Sequence, residues 1–352
     1  MPNYLYLIIT LVVSFVITAG VRFLMLKWRI VDEPKVNARK IHKSKIPLGG
    51  GWAIFFSFFA VVSVAYFIFG DLGKVVPLRH LVGLFCGGVV LMLGGFLDDK
   101  YGLKARHQLL FAVTASLLVV IFGIGPKVIT NPFGGSFSLE RWIVSVDGIT
   151  NLVILSDFLV FFWLMGMMFT TKLLDGLDGL VTGIVAIGAL MIFFLSNQTQ
   201  WYQPEVALLS LIFTCACLGF LVWNWYPAKI FLGQGGSMFT GFVLGSLAII
   251  SGGKIATTLL VVGIPVLDMI RVFFLRVIKK KPVFVGDNEH LHFRLLNSGL
   301  SQRQAVLLFY SISILFGLST LFLQSQQKMI ALMFLLVLMM LIGVWFSKRA
   351  KG

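Results

Sequence analysis

Apolar residues gather along the chain into eleven blocks, at about 5–26, 50–69, 78–97, 107–124, 151–168, 179–196, 205–223, 236–251, 255–278, 305–323 and 329–346. Each is close to the length at which a helix crosses roughly 30 Å of hydrocarbon. The pattern predicts an all-α integral membrane fold of about 11 transmembrane helices, built as a single polytopic domain over 1–352. A membrane β-barrel would need alternating segments of roughly ten residues, and none stand out. The first block lacks a basic start and a small-residue cleavage pattern, so it is expected to remain as a helix. Between the fourth and fifth blocks, segment 125–150 is rich in glycine with short alternating stretches such as 136–146, which predicts a small hairpin on the outer face.

Composition narrows the class further. With 58% hydrophobic and 12% charged residues and a mean hydropathy of +0.96, the chain is neither a water-soluble globule nor disordered. Its formal charge of +15 raises nucleic acid as a partner, but the distribution argues otherwise. Of 29 Lys and Arg residues, 23 fall on one side of the predicted spans, mostly in 22–45 and 271–303, and no Arg-rich tail is present. This is the bias that orients membrane proteins and attracts anionic lipids and phosphates. It places the N-terminus outside and the C-terminus in the cytoplasm, in the cell's inner membrane. Cys86, Cys215 and Cys217 lie inside apolar blocks without ligand spacing and are read as packing residues.

On the same predicted face, five loops at about 27–49, 98–107, 169–178, 224–235 and 279–304 hold most of the remaining polar chemistry. Asp98 and Asp99 end the third block. Adjacent carboxylates stay ionised only where water, a cation or nearby bases compensate them, although the pair could also be an interfacial anchor. Asp175 and Asp178, in Lys172-Leu-Leu-Asp-Gly-Leu-Asp-Gly, are spaced i, i+3 and are expected on one helical face at the start of the sixth block. Helix capping would explain one of them; two acids, two glycines and Lys172 fit a ligand site better. Phe231-Leu-Gly-Gln-Gly-Gly-Ser offers a glycine turn feeding a helix start, a phosphate-binding geometry that close helix packing would also explain. Asp268 and Arg271 read mainly as an internal ion pair. His290 and His292, at i, i+2, do not share a helical face, which disfavours a helical two-His metal site; from an extended loop both could face one anionic ligand.

Acids able to hold a divalent cation, bases able to neutralise phosphates and glycine turns at helix starts make a phosphoryl-transfer inventory, and the lipid frame suggests a lipid substrate. At these residues the chain resembles the polyprenyl-phosphate N-acetylhexosamine-1-phosphate transferases. The resemblance rests on Arg39-Lys-Ile-His with Pro47-Leu-Gly-Gly, Asp98-Asp99, Asp175-Gly-Leu-Asp-Gly, Pro227-Ala-Lys-Ile-Phe-Leu-Gly and His290-Leu-His, in that order. It implies transfer of a sugar-1-phosphate from a UDP-sugar to a polyprenyl phosphate with release of UMP. Such a reaction is a first membrane step of envelope polysaccharides such as lipopolysaccharide or teichoic acid. Mg²⁺, with Mn²⁺ as substitute, is the implied cofactor, and a homodimer the implied assembly. The His-Leu-His pattern is most similar to the branch using UDP-N-acetylglucosamine.

By the same resemblance, Asp98 deprotonates or orients the lipid phosphate and Asp99 supports the metal or the neighbouring lysine network. Asp175 and Asp178 serve the nucleotide and metal region, and Asn224 and Phe231 contact uracil. Lys45, His290, His292 and Arg294 meet the diphosphate and sugar, with His42 and Lys172 among the binding residues. The implied metal set is Asp99, Asp175 and Gln234. Three positions depart from the family pattern: Gln234 and Lys172 replace a usual Asp and Asn, and Phe293 replaces a usual His. Gln234 offers a neutral oxygen rather than a charge, so a weakened or inactive member is one alternative. A lipid or solute transporter is another, and it predicts acids spread across membrane depth, as only Asp157 and Asp268 are.

Overall fold

A computed structural model of the chain describes residues 2–34, 44–126, 128–131, 134–140, 143–146, 150–252, 254–280 and 289–349. Among them thirteen α-helices follow in order: α1 (Asn3–Lys27), α2 (Gly51–Phe67), α3 (Leu78–Tyr101), α4 (Ala105–Ile121), α5 (Ile154–Leu174), α6 (Leu180–Asn197), α7 (Pro204–Asn224), α8 (Gly233–Ile250), α9 (Ile255–Val261), α10 (Gly263–Ile278), α11 (Leu291–Asn297), α12 (Gln302–Ser319) and α13 (Ser325–Arg349). Every predicted apolar block overlaps a helix. The ninth is broken, with α9 and α10 meeting at 78°. Seven helices (α1, α3, α5, α6, α7, α8 and α13) are long and apolar enough to cross a membrane, and the bent pair makes an eighth. The predicted eleven exceeds this number because α2 and α4, at 17 residues each, are apolar but short, and α12 does not reach the same apolarity. The protein is an α-helical, multi-pass membrane protein.

Among the described residues, β structure is confined to three two-stranded antiparallel ribbons: β1 (Val31–Asp32) with β2 (Ile46–Pro47), β3 (Val128–Thr130) with β4 (Ser136–Ser138), and β5 (Ile143–Val146) with β6 (Thr150–Val153). The single hairpin predicted in 125–150 is therefore two. Gly134 and Gly135, at φ +119° and +76°, lie between β3 and β4, and a second strand pair fits before α5 begins. The β1–β2 ribbon had no sequence signal, since two-residue strands carry no alternation to detect.

The centre of the bundle is α6, α7 and α8, whose side chains are almost all buried, whereas α1 and α13 turn most of their apolar surface outward. In hydrocarbon a free hydroxyl is unfavourable, and several span hydroxyls bond back along their own helices. Thr10 donates to Tyr6 O, Thr18 to Ser14 O, Ser57 to Ala53 O and Thr214 to Ser210 O. Ser14 instead crosses to Ala216 O at 2.6 Å, tying α1 to α7.

Where α3 and α2 meet the start of α8, glycine faces glycine. A Cβ on Gly95 would run into the backbone of Gly235, and one on Gly51 into Gly236. This contact brings the end of α3, with Asp98 and Asp99, beside Gly233 and Gln234. Gly95→Ala is expected to destabilise the protein by about 1–3 kcal/mol, since two backbones must separate to admit the methyl group. A lowered unfolding temperature in detergent checks it; a wild-type value would contradict the packing.

Candidate active site

Two adjacent carboxylates at the C-terminal end of α3 face the negative end of the helix dipole, so each needs compensation. The helix stops at Gly102, φ +65°, and the chain turns back on Asp98. Asp98 is buried, with Oδ1 accepting from Leu103 N–H at 2.7 Å and Oδ2 from Gln108 Nε2 at 2.7 Å. Gln108 in turn accepts from the Lys172 ammonium, which lies within electrostatic reach of both Asp98 and Asp99. Asp99 points the other way. Its Oδ1 accepts from Gln234 N–H at 3.1 Å and Oδ2 lies against Gly233, so it caps the positive N-terminal end of α8 from another helix. Asp32, on β1, is also within electrostatic reach of Asp99.

Asp175 and Asp178 do not share a helical face as predicted. Asp175 caps the C-terminus of α5, Gly176 N–H closes a tight turn on Leu174 O at 2.7 Å, and Gly179 at φ +78° precedes α6. The glycines break the helix that the i, i+3 spacing suggested. Asp178 Oδ2 accepts from Ala228 N–H at 2.9 Å and fastens the turn to the 225–232 segment. Asp175 accepts no hydrogen bond from the described residues. The residue is exposed at the surface, with protein crowded around its carboxyl. That desolvation, reinforced by Asp99 and Asp178, pushes its pKa up to about 7.

The histidines approach from the far end of the chain. His290 occupies the N-cap of α11 with extended dihedrals, φ −64° and ψ 146°, which brings its ring parallel to that of His292, centroids 5.7 Å apart and planes at 9°. Asp268 holds this arrangement. Its Oδ2 lies 3.0 Å from His290 Nδ1 and accepts Leu291 N–H at 3.0 Å, while Oδ1 accepts from Arg271 Nη2 at 2.7 Å. The predicted ion pair is therefore present, and its other oxygen orients a histidine. His292 is buried against Gly176, with Nε2 unpartnered; desolvation and then His290 push its pKa down to about 3, so its ring is neutral. Arg294 pairs with Glu289 at 2.7 Å, and this ion pair holds the Glu289 carboxyl below its ordinary range. The His292–Gly176 contact joins the 290–297 segment to the Asp175 turn.

The remaining candidates divide by position. Asn224 is buried and committed: Oδ1 accepts from Gly179 N–H and Thr182 Oγ1, and Nδ2 donates to Ile230 O at 3.0 Å. Phe231 is half-buried, its backbone laid along Pro47 and Gly50, with Gly51 N–H on Leu232 O at 2.9 Å. Lys45 is exposed and paired with Glu33, and the Gln234 side chain is exposed. His42 and Arg39 lie outside the described residues. Asp32, Gln108 and the Asp268–His290 link were not legible as site residues, because each acts through a partner distant in sequence. Asp157 is near the other end of α5, so the acids do not line a route across the bundle.

Asp99 and Asp175 suit a hard divalent cation that takes two carboxylates and completes its shell with phosphate oxygens and water, and Asp175 is free to do so. Gln234 could add only a neutral oxygen. Among the described residues no group of three or more His, Cys, Asp or Glu forms a full protein cage.

The model of the glycosyl transferase family 4 matches residues 81–252, the stretch that carries Asp98, Asp99, Asp175, Asp178 and the α8 start. Over that stretch the chain is similar to glycosyl transferase family 4. The chain is 29% identical over 343 residues to a "Probable undecaprenyl-phosphate N-acetylglucosaminyl 1-phosphate transferase" of Bacillus subtilis, covering 96% of this chain and 89% of that one. It is 28% identical to a "Decaprenyl-phosphate N-acetylglucosaminephosphotransferase" of Mycobacterium tuberculosis, with 85% and 77% covered. It is 27% identical to an "Undecaprenyl-phosphate alpha-N-acetylglucosaminyl 1-phosphate transferase" of Escherichia coli, with 79% and 72% covered.

Asp268→Ala should strand the Arg271 guanidinium and His290 Nδ1 at once. A loss of about 2–4 kcal/mol is expected, with faster proteolysis between 279 and 297. Unchanged melting and cleavage would mean that Asp268 does not hold this segment.

Proposed function

We propose that the protein transfers N-acetylglucosamine 1-phosphate from UDP-N-acetylglucosamine to a polyprenyl phosphate, giving the lipid-linked diphosphate sugar and UMP. The observation that carries this reading is the convergence of Asp99, Asp175 and the His290–His292 pair, from three distant segments, at one end of a membrane bundle. The family and the names of its relatives point to the same reaction. We place this end at the cytoplasmic face of the inner membrane, with eleven crossings, on the basic-residue bias. Assembly as a homodimer belongs to the same proposal and rests on the family resemblance alone.

In this reading an oxygen of the lipid phosphate attacks the β-phosphorus of the donor in line, and the bond to the bridging oxygen breaks as UMP leaves. Catalysis then comes from alignment and charge neutralisation. Asp99 and Asp175 would hold Mg²⁺, which when bound neutralises diphosphate oxygens. Asp99, facing the cleft, is better placed than the doubly bonded Asp98 to meet the acceptor phosphate. Asp98 acts through Gln108 to aim the Lys172 ammonium, a fixed positive charge near the reacting phosphates. Asp268 keeps His290 Nδ1 engaged, which leaves Nε2 for the donor. Phe231 offers a ring face to the uracil.

Radiolabelled UDP-N-acetylglucosamine with polyprenyl phosphate and Mg²⁺ tests the reading directly. Labelled lipid and UMP are expected from the wild type, with Asp99→Asn and Asp175→Asn slowed by about a hundredfold or more. Neither product from the wild type or from Gln234→Asp would end the proposal.

Mn²⁺ binding, read by electron paramagnetic resonance, adds a check independent of turnover. A proton on Asp175 competes with the cation below about pH 7, so affinity at pH 6 should be about tenfold weaker than at pH 8. Gln234→Asp, by adding a charged oxygen, should tighten binding about tenfold at pH 8. A flat pH response together with no effect of the substitution would remove the metal from this pair of carboxylates.

A further inference from the structure

We infer that Lys254 and Lys328 form a binding site for a phosphate group at the end of the bundle opposite the Asp99–Asp175–His290 cleft. α6 runs away from the Asp175–Asp178 turn to Asn197, and α9 and α13 both begin at that far end. There Lys254 Nζ donates to Ser196 Oγ at 2.8 Å and Lys328 Nζ to Thr257 Oγ1 at 3.2 Å. Both hydroxyl residues are fully buried and both lysines half-buried, so the ammonium groups are held in place rather than swung into solvent. An ammonium has three donors, and these bonds spend one on each.

The two cations lie within electrostatic reach of each other, and no carboxylate among the described residues pairs with either. Two acids nearer this end, Glu205 and Asp71, are engaged elsewhere. Glu205 accepts four backbone N–H groups, from Gly73, Lys74, Val75 and Val76, and Asp71 accepts the Tyr6 hydroxyl at 2.7 Å. Desolvation, followed by the neighbouring Lys328, brings the Lys254 pKa down to about 8, a penalty that a bound anion would relieve. Only six of the 29 basic residues fall on this side of the predicted spans, and two of them meet here. Beside them Gln203, whose N–H bonds to Ser196 O at 2.8 Å, keeps a buried Oε1 without a partner among the described residues, an acceptor suited to a hydroxyl next to the phosphate. The ligand class is a phosphate carrying a hydroxylated neighbour, as on a phosphatidylglycerol headgroup, or free phosphate.

The test uses the purified full chain. Native mass spectrometry after exchange into phosphatidylglycerol or phosphatidylcholine reads retained lipid, and a thermal-shift titration with inorganic phosphate reads the soluble source. The wild type should retain phosphatidylglycerol over phosphatidylcholine by roughly tenfold. The Lys254→Gln, Lys328→Gln double variant should lose that preference, while Lys74→Gln, an exposed base on the same side, should keep it. A response to inorganic phosphate alone, abolished in the double variant, would support the site with a soluble ligand. No lysine-dependent response in either arm overturns the inference, and circular dichroism with the single variants separates lost binding from lost fold.

Discussion

The site depends on one contact between backbones. Gly95 lies on Gly235 and Gly51 on Gly236 so closely that no side chain fits between them. This close approach sets the carboxylate of Asp99, at the negative end of α3, against the first N–H groups of α8. The dipole that disfavours Asp99 from its own helix is offset by the dipole of another. Because the lipid-facing helices gain little from apolar contact with one another, such close, small-residue packing decides where the helix ends meet.

Around that contact, charge is distributed unequally. Asp98 is saturated by Leu103 and Gln108, and through Gln108 it aims Lys172. Asp175 accepts no hydrogen bond from the described residues and lies close to two further acids. A neighbourhood with several carboxylates and one ammonium has an appetite for positive charge, which is the property a diphosphate-handling site requires once a cation is present. Lys172, held by Gln108, supplies part of that positive charge from the protein itself.

The C-terminal third contributes rigidity. Asp268 binds Arg271 with one oxygen and His290 with the other, and the neutral His292 rests on Gly176. The 290–297 segment is thereby fixed to the same glycine turn that presents Asp175, so a shift of either would move both.

Apolar block length was enough to determine a multi-pass helical protein, because hydrocarbon thickness imposes it on any sequence. The adjacent acids at 98–99, the Asp-Gly-Leu-Asp-Gly run and the His-Leu-His pattern were likewise legible, since polar residues in such a chain are few and gather in loops. The spacing of Asp175 and Asp178 fits a helix, and only the positive φ of Gly179 and the turn at Gly176 show otherwise. Which of Asp98 and Asp99 meets the start of α8, what Asp268 holds, and that Asn224 is a cross-link between α7 and the start of α6 were decided by the tertiary structure. Hydrogen bonds between residues 22 to 135 positions apart leave no local pattern for a sequence to display.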